Sequence, residues 1–496
     1  MISIKLYKFR TYALACLVTT FLVNGNVQAQ CVTEKLIASD AYQEDIFSRS
    51  VAIDGNRLIV GASRNDDNGY SSGAAYVFKR QGNHWIEEQK LLAYDAKAYD
   101  EFGFSVDISG DIAIVGAWKS DQGSINNGAA YIFRYFSAAD EWILLQKLLA
   151  PDGFEEARFG FSVSISSNLA VIGAPYQYYN PSFRGAAYAF DLNSVTQLWD
   201  YRSKLLSSAT SYGDDLFGVS VDICGDIVIV GARGVDANGE DSGAAYAFRK
   251  GVNEIDMLWL EQSVLTPQDG DAGDRFGVSV AISGDNVVVG ATRDTNMLGM
   301  NAGAAYLFHY DSVNEQWLEE CKLLPFDGFA HDHFGRVAIE DDVIIVGAPE
   351  HDLPSYGNGA AYVYRYSIKS QSWLSHGKLL ANDLDWQHGI GARVAISNGI
   401  GIVSDQYNGE AGNTAGAAHI FDVLDNEDIN GNGIIDSCEI GFADLNSDGI
   451  TNESDLLILL GFWGPCPYPP IECQADLFSD GIVNTQDLLV LLANWG

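Results

Sequence analysis

Apolar and polar residues alternate along this chain in short runs, and the runs themselves recur. A Gly-Ala-Ala-Tyr string, or a near copy, opens at Gly73, Gly128, Gly185, Gly243, Gly303, Gly359 and Gly416, at intervals of 55 to 60 residues. Ahead of each lies a Val-Gly-Ala-like string ending at Ala62, Ala117, Ala174, Ala232, Ala291, Ala348 and Asp405. Ahead of that lies a Phe-Gly-x-Ser-Val-like string, as at Phe102-Gly103-Phe104-Ser105-Val106. A fixed period of this length marks a repeat architecture in which each unit buries its apolar face against the next.

Each unit contains four strand-like runs, at 103–108, 112–116, 129–133 and 142–148 in the second unit. They are rich in Val, Ile, Phe and Tyr and separated by Gly, Asp, Asn and Ser. Pairs such as Gly110-Asp111 suit tight hairpins. Seven units of four antiparallel strands predict an all-β fold, a seven-bladed β-propeller, because closing the ring hides sheet edges. Six fourth strands carry a tryptophan: Trp85, Trp142, Trp199, Trp259, Trp317 and Trp373. Unit 7 ends near Phe421 without such a strand. Cys31-Val32-Thr33-Glu34-Lys35-Leu36 matches the end of one, with Gln30 at the tryptophan position, so the N-terminal strand is expected to complete blade 7 and close the ring.

This pattern resembles the FG-GAP repeats of integrin α-subunit propellers and their bacterial relatives, over residues 30–424. The resemblance implies the propeller and says little about activity. Integrin-type blades often carry a D-x-[DN]-x-D-G calcium loop between their first two strands. Here that connection is only a turn, as at Asp54-Gly55-Asn56-Arg57, and lacks the carboxylates to wrap a hard cation. Unit 6 is shortened at Gly335-Arg336-Val337 and unit 7 departs at Val403-Ser404-Asp405, so local irregularity is expected there.

Residues 1–29 read as a secretory leader: Lys5, Lys8 and Arg10, an apolar run at 12–23, and the small-residue site Val27-Gln28-Ala29. No later run approaches the ~20 apolar residues of a membrane span. The expectation is a secreted, extracellular or cell-surface protein. The chain carries a formal net charge of −37, and loss of the three basic leader residues makes it −40. Such a charge repels phosphate backbones and excludes nucleic acid as a partner. Six cysteines follow the leader: Cys31, Cys224, Cys321, Cys438, Cys466 and Cys473. Cys466 and Cys473 bracket a proline-rich turn and are expected to form a disulfide. Cys31 and Cys438 are candidates for a second, whereas Cys224 and Cys321 belong to opposite faces and suit no bridge.

After residue 424 the logic changes. Asp428, Asn430, Asn432, Gly433, Ile434, Asp436 and Glu439 fill the positions of a 12-residue EF-hand-type loop, with side-chain oxygens at 1, 3, 5, 9 and 12 and a main-chain carbonyl at 7. A second loop has Asp444, Asn446, Asp448, Gly449, Ile450, Asn452 and Asp455. A third has Asp476, Asp480, Gly481, Ile482, Asn484 and Asp487, with Phe478 replacing a ligand. Apolar helices are expected at 456–463 and 488–495. The duplicated loop–helix pattern resembles dockerin modules. The expected organisation is thus a calcium-loop linker at 425–443 and a small α-helical dockerin-like module at 444–496. The resemblance implies Ca2+ as cofactor and a cohesin-like or other surface protein as partner.

On the propeller, the loops joining second to third strands and those joining blades should share one face. They vary most between copies, and variable loops on a rigid ring are where binding sits. Trp118, Tyr176, Tyr178 and Tyr179 are the candidate ligand residues, suited to a glycan or a protein. His331-Asp332-His333 has metal-ligand residue types, but Asp at this point also caps a turn in sister repeats (Asp100, Asp274). No Gly-x-Ser-x-Gly elbow is present. The reading is a non-enzymatic binding or adhesion protein. The alternatives are a carbohydrate-binding or polysaccharide-degrading propeller protein, or a structural surface protein.

Overall fold

The computed structural model describes residues 29–30, 32–121, 125–178, 182–208, 214–251, 259–351, 358–381 and 388–423, and in the tail 456–457, 459–460, 464–465 and 482–483. Seven antiparallel sheets follow the predicted units. In blade 2 the strands are Phe102–Ser109, Ile112–Ala117, Ala129–Phe136 and Glu141–Leu148. First strands of neighbouring blades touch around the whole ring, blade 7 against blade 1 included.

The N-terminal strand Val32–Leu36 supplies the fourth strand of blade 7. It pairs antiparallel with Ala417–Asp422, Leu36 opposite Ala418. Leu91 faces Ala75 in the same register in blade 1. Glu34 then accepts a hydrogen bond from the Trp85 amide of blade 1 at 2.8 Å. Gln30 departs from expectation. It does not extend that strand but pairs in parallel with Leu379 at the outer edge of blade 6.

The repeated residues form two kinds of joint. Within a blade, the Phe of the first string meets the Tyr of the last edge-on: Phe102 and Tyr131 have ring centroids 5.3 Å apart, and both are fully buried. Six blades repeat this contact, and each such ring contributes roughly 1.5–3 kcal/mol by burial. Between blades the glycines meet. A Cβ on Gly73 (φ +88°) would lie 2.0 Å from the Phe102 carbonyl oxygen, and one on Gly61 would lie 1.9 Å from that of Gly103. The serine of the first string clasps the same junction. Ser50, Ser105, Ser162 and Ser220 donate to the carbonyls of Gly103, Gly160, Gly218 and Gly277 at 2.8–2.9 Å.

The connection between first and second strands is a two-residue turn in every blade, as between Asp54 and Arg57. The first strand of blade 6 is the five-residue Arg336–Glu340, as short as Ser162–Ser166 of blade 3, and in blade 7 the pairing skips from Ile390 to Val394, one residue further than the skip from Phe47 to Ser50 in blade 1. Cys224 and Cys321 do not bridge to each other. No helix among the described residues is long and apolar enough to cross a membrane. Residues 1–28, Cys31, Cys438, Cys466, Cys473 and the side chains expected to ligate calcium in the three tail loops lie outside the described residues. In the tail, residues 456, 457, 459 and 460 are helical, and Ile482 and Val483 pair with Pro465 and Gly464.

Candidate ligand-binding face

The two sets of long loops share one face. Tyr99 and Glu101, before blade 2, donate their amides to the Tyr70 and Ser71 carbonyls of the blade 1 loop at 2.8 and 3.1 Å. The same stitch recurs as Glu156 to Ile125, Gly273 to Glu240 and His331 to Met300. At the ring closure it joins Glu44 to Asn413. These loops are held at both ends by the ring, so their side chains are displayed on a rigid base.

Three of the predicted ligand residues come together. Phe104, Trp118 and Phe161 form a triangle with centroid separations of 4.8, 5.1 and 5.6 Å. Phe161 continues to Tyr176 at 6.3 Å, Tyr176 to Phe183 at 6.4 Å, and Phe183 to Tyr178 at 5.4 Å. The chain of rings crosses from blade 2 to the loops of blade 3, and Trp118, Tyr176 and Tyr178 are each half-buried. Arg158 lies between, its guanidinium carbon 4.8 Å from the Trp118 ring and 4.0 Å from that of Tyr176. Glu101 fixes the tryptophan by accepting from its Nε1 at 2.8 Å and from Lys119 at 2.7 Å. Tyr179 lies outside the described residues.

The residues of His331-Asp332-His333 do not converge. Asp332 caps the Phe329 amide at 2.7 Å, as Asp100 caps Lys97 and Asp274 caps Asp271. Its Oδ2 also meets His351 Nδ1 at 2.8 Å, whereas His333 faces Glu350. The turn-capping role is the one the geometry displays.

Sequence reasoning missed three polar constellations. The first is a Tyr–Asp–Lys set. The hydroxyls of Tyr76, Tyr131, Tyr188, Tyr306 and Tyr362 donate to Asp40, Asp95, Asp152, Asp269 and Asp327. The same aspartates receive Lys90, Lys147, Lys204, Lys322 and Lys378. Burial alone would raise the Asp95 carboxyl, but the bonds from Lys147 and Tyr131 outweigh it and hold Asp95 below the usual range. The shared Lys column, broken only by Val264 in blade 4, was the available signal. The second set is Asp107, Ser164 and Asp222 on the first strands of blades 2, 3 and 4. Ser164 Oγ lies 3.1 Å from Asp107 and 3.0 Å from Asp222. Burial, with the facing Asp222 carboxylate, pushes Asp107 up to about 7. Burial likewise pushes Asp222 up to about 6. The third is the buried Asp405 of blade 7. His388 and His419 reach its Oδ2 at 2.8 and 3.2 Å; Asp405 stands where the other blades keep Ala, and His419 where they keep Tyr. Burial would raise Asp405, yet the two histidines hold it below the usual range.

The FG-GAP repeat pattern matches residues 32–78, 85–133, 142–190, 199–248, 259–308 and 317–364. The matched segments span more than half of the chain, which therefore belongs to the FG-GAP repeat family. Each segment starts on the outer strand of one blade and ends on the third strand of the next. The seventh unit lies outside the match, where Ile390, Asp405 and His419 replace the repeated Phe, Ala and Tyr. Among solved structures, the crystal structure of Saccharomyces cerevisiae Sqt1 is similar at a TM-score of 0.42 and 10% identity, covering 80% of this chain and 100% of that one. No curated protein sequence matches this chain.

Proposed function

We propose that this is an exported, non-enzymatic binding protein whose propeller presents a ligand site on its long-loop face. Its tail docks it, in a calcium-dependent way, to a cohesin-like or other surface protein. The observation that carries the reading is the chain of half-buried rings from Trp118 through Tyr176 to Tyr178. It sits in loops that fail to repeat, on a ring whose repeated residues are all occupied in holding blades together. Aromatic faces with a polar edge suit a sugar, with a protein segment as the second ligand class. The tail reading rests on the oxygen-ligand spacing of Asp428–Glu439, Asp444–Asp455 and Asp476–Asp487, which wraps a hard cation.

A glycan array probed with the full chain, beside capture assays with and without calcium, tests both halves. Glycan binding lost in Trp118→Ala and Tyr176→Ala supports the propeller site. Calcium-dependent capture lost on removal of the tail supports docking. A propeller that retains no glycan or protein sinks the first half. Hydrolysis of a bound polysaccharide would replace it with the enzymatic alternative.

A further inference from the structure

The serine that clasps each blade to the next is missing from two consecutive blades, and both replacements are arginines. Ser50, Ser105, Ser162, Ser220 and Ser279 occupy this position in blades 1 to 5; the first four make the clasp, and Ser279 Oγ instead accepts from the Val337 amide at 3.2 Å. Arg336 occupies it in blade 6, opposite Gly347, and Arg393 in blade 7, beside Ser404. A third arginine, Arg49, stands one residue before the clasp in the adjoining blade 1. The position opens the first strand, so all three lie near the ring axis at the long-loop face.

These arginines are half-buried and have no carboxylate within ion-pair distance among the described residues. Arg49 lies over the Phe104 ring, 4.2 Å from its centroid, which joins the cluster to the aromatic chain. The Arg393 guanidinium donates to the adjacent Ala392 carbonyl, at 2.7 Å, and Arg336 Nε is buried without a partner. Among the described residues, the acids whose charges act on Arg49 and Arg336 are committed elsewhere: Glu101 to Trp118 and Lys119, Glu350 to His333. Burial, then the charges of Arg49 and Arg233, push Arg336 down to about 10. Burial, then Arg49 and Arg336, depress Arg393. In a chain of net charge −37, a knot of like positive charges that gave up two structural hydrogen bonds is a local violation of the fold's own rule. Such violations mark functional positions.

We propose that Arg49, Arg336 and Arg393 form a site for an oxyanion, the carboxylate or sulfate group of an acidic sugar or the free ion. Guanidinium forks match these groups by paired, charge-assisted hydrogen bonds. The inference rests on the reading of this face as a ligand surface and names the chemistry taken at its centre. An acidic glycan would place its anion at the axis and its sugar rings outward toward the half-buried Trp118.

Calorimetric titration of the full chain with sulfate, a uronate oligosaccharide, a sulfated oligosaccharide and a neutral one, at fixed ionic strength, tests it. The expected result is oxyanion binding that weakens by about tenfold or more in Arg393→Ser and in Arg336→Ser. Those variants restore the clasp residue, so without ligand they should unfold at a higher temperature than the natural chain. Equal oxyanion affinity in natural and variant chains overturns the proposal, as does a variant that loses stability with no oxyanion bound by the natural chain. Sulfate bound without any oligosaccharide upholds the oxyanion site and overturns the glycan reading. Neutral oligosaccharide bound equally by all chains, with no oxyanion binding, does the reverse.

Discussion

Gly73 and Phe102 face each other as an isolated parallel bridge between blades 1 and 2. The glycine is there because nothing larger fits: a methyl group would sit 2.0 Å from a backbone oxygen. Gly73→Ala also forces a side chain into positive φ. The expected loss is above roughly 2 kcal/mol by urea unfolding, since overpacking and strain add. Gly82→Ala, at positive φ with nothing within 4 Å, is the control and should lose about 1 kcal/mol or less. Equal losses in the two variants would remove the close approach as the cause.

The closing strand predicts a global effect from a terminal residue. Leu36 is 3% exposed and belongs to the core shared by blades 1 and 7. Leu36→Asp places a charge there and should destabilise by about 3 kcal/mol or more. Unfolding should then begin at the blade 7–blade 1 seam, read as early hydrogen exchange of the Ala417–Asp422 strand.

The Tyr–Asp–Lys sets predict unequal costs for one substitution. Tyr131→Phe strands part of the Asp95 hydrogen bonding and should cost about 1–1.5 kcal/mol. Tyr246→Phe in blade 4, where Val264 replaces the lysine, should cost less, both variants being read by thermal unfolding. The sign with pH follows from the depressed Asp95 carboxyl. Its contribution is present above the unfolded value of about 3.9 and lost as pH falls through the lower folded value.

Asp107 and Asp222 predict the opposite slope. Ser164 has a single hydroxyl proton and donates to only one of them, so the other contact needs a protonated carboxyl. Carbon-13 titration of the side-chain carboxyls should place Asp107 near about 7 and Asp222 near about 6. The folded state binds these protons more tightly than the unfolded chain. Their stabilisation is therefore full below about pH 4 and fades as pH rises through 6 to 7. Midpoints for both below about 5 would contradict the burial argument.

For the tail, calcium should raise helical ellipticity in the full chain, and a chelator should reverse it. Asp448→Ala removes a second-loop ligand and should weaken the calcium response by calorimetry, while the propeller's melting temperature stays unchanged. An ellipticity that ignores chelation would discard the module reading.

Much of the fold was legible because the joints are local and repeated. The tryptophan column located the outer strands, and the gap in that column located the closing strand. Gln30 was misplaced because an end residue has a free choice of edge, and pattern matching along one strand does not see blade 6. The candidate site was legible in part. Trp118, Tyr176 and Tyr178 stood out as aromatics in variable loops, but Phe104 and Phe161 looked like ordinary repeat positions. Arg336 and Arg393 were hidden in the shortened and degraded units, where substitution reads as decay until neighbours are known.

The sequence by itself determined the number of blades, the order of strands within each and the need for an N-terminal strand to finish the last. Those features follow from glycines and aromatics whose packing demands recur at one period. Only the tertiary structure decided which unrepeated residues meet. Arg49 and Arg393 lie at opposite ends of the propeller sequence, and ring closure alone brings blade 7 against blade 1. That they meet, with no carboxylate of the described residues within ion-pair distance, is a property of the axis, which no single repeat contains.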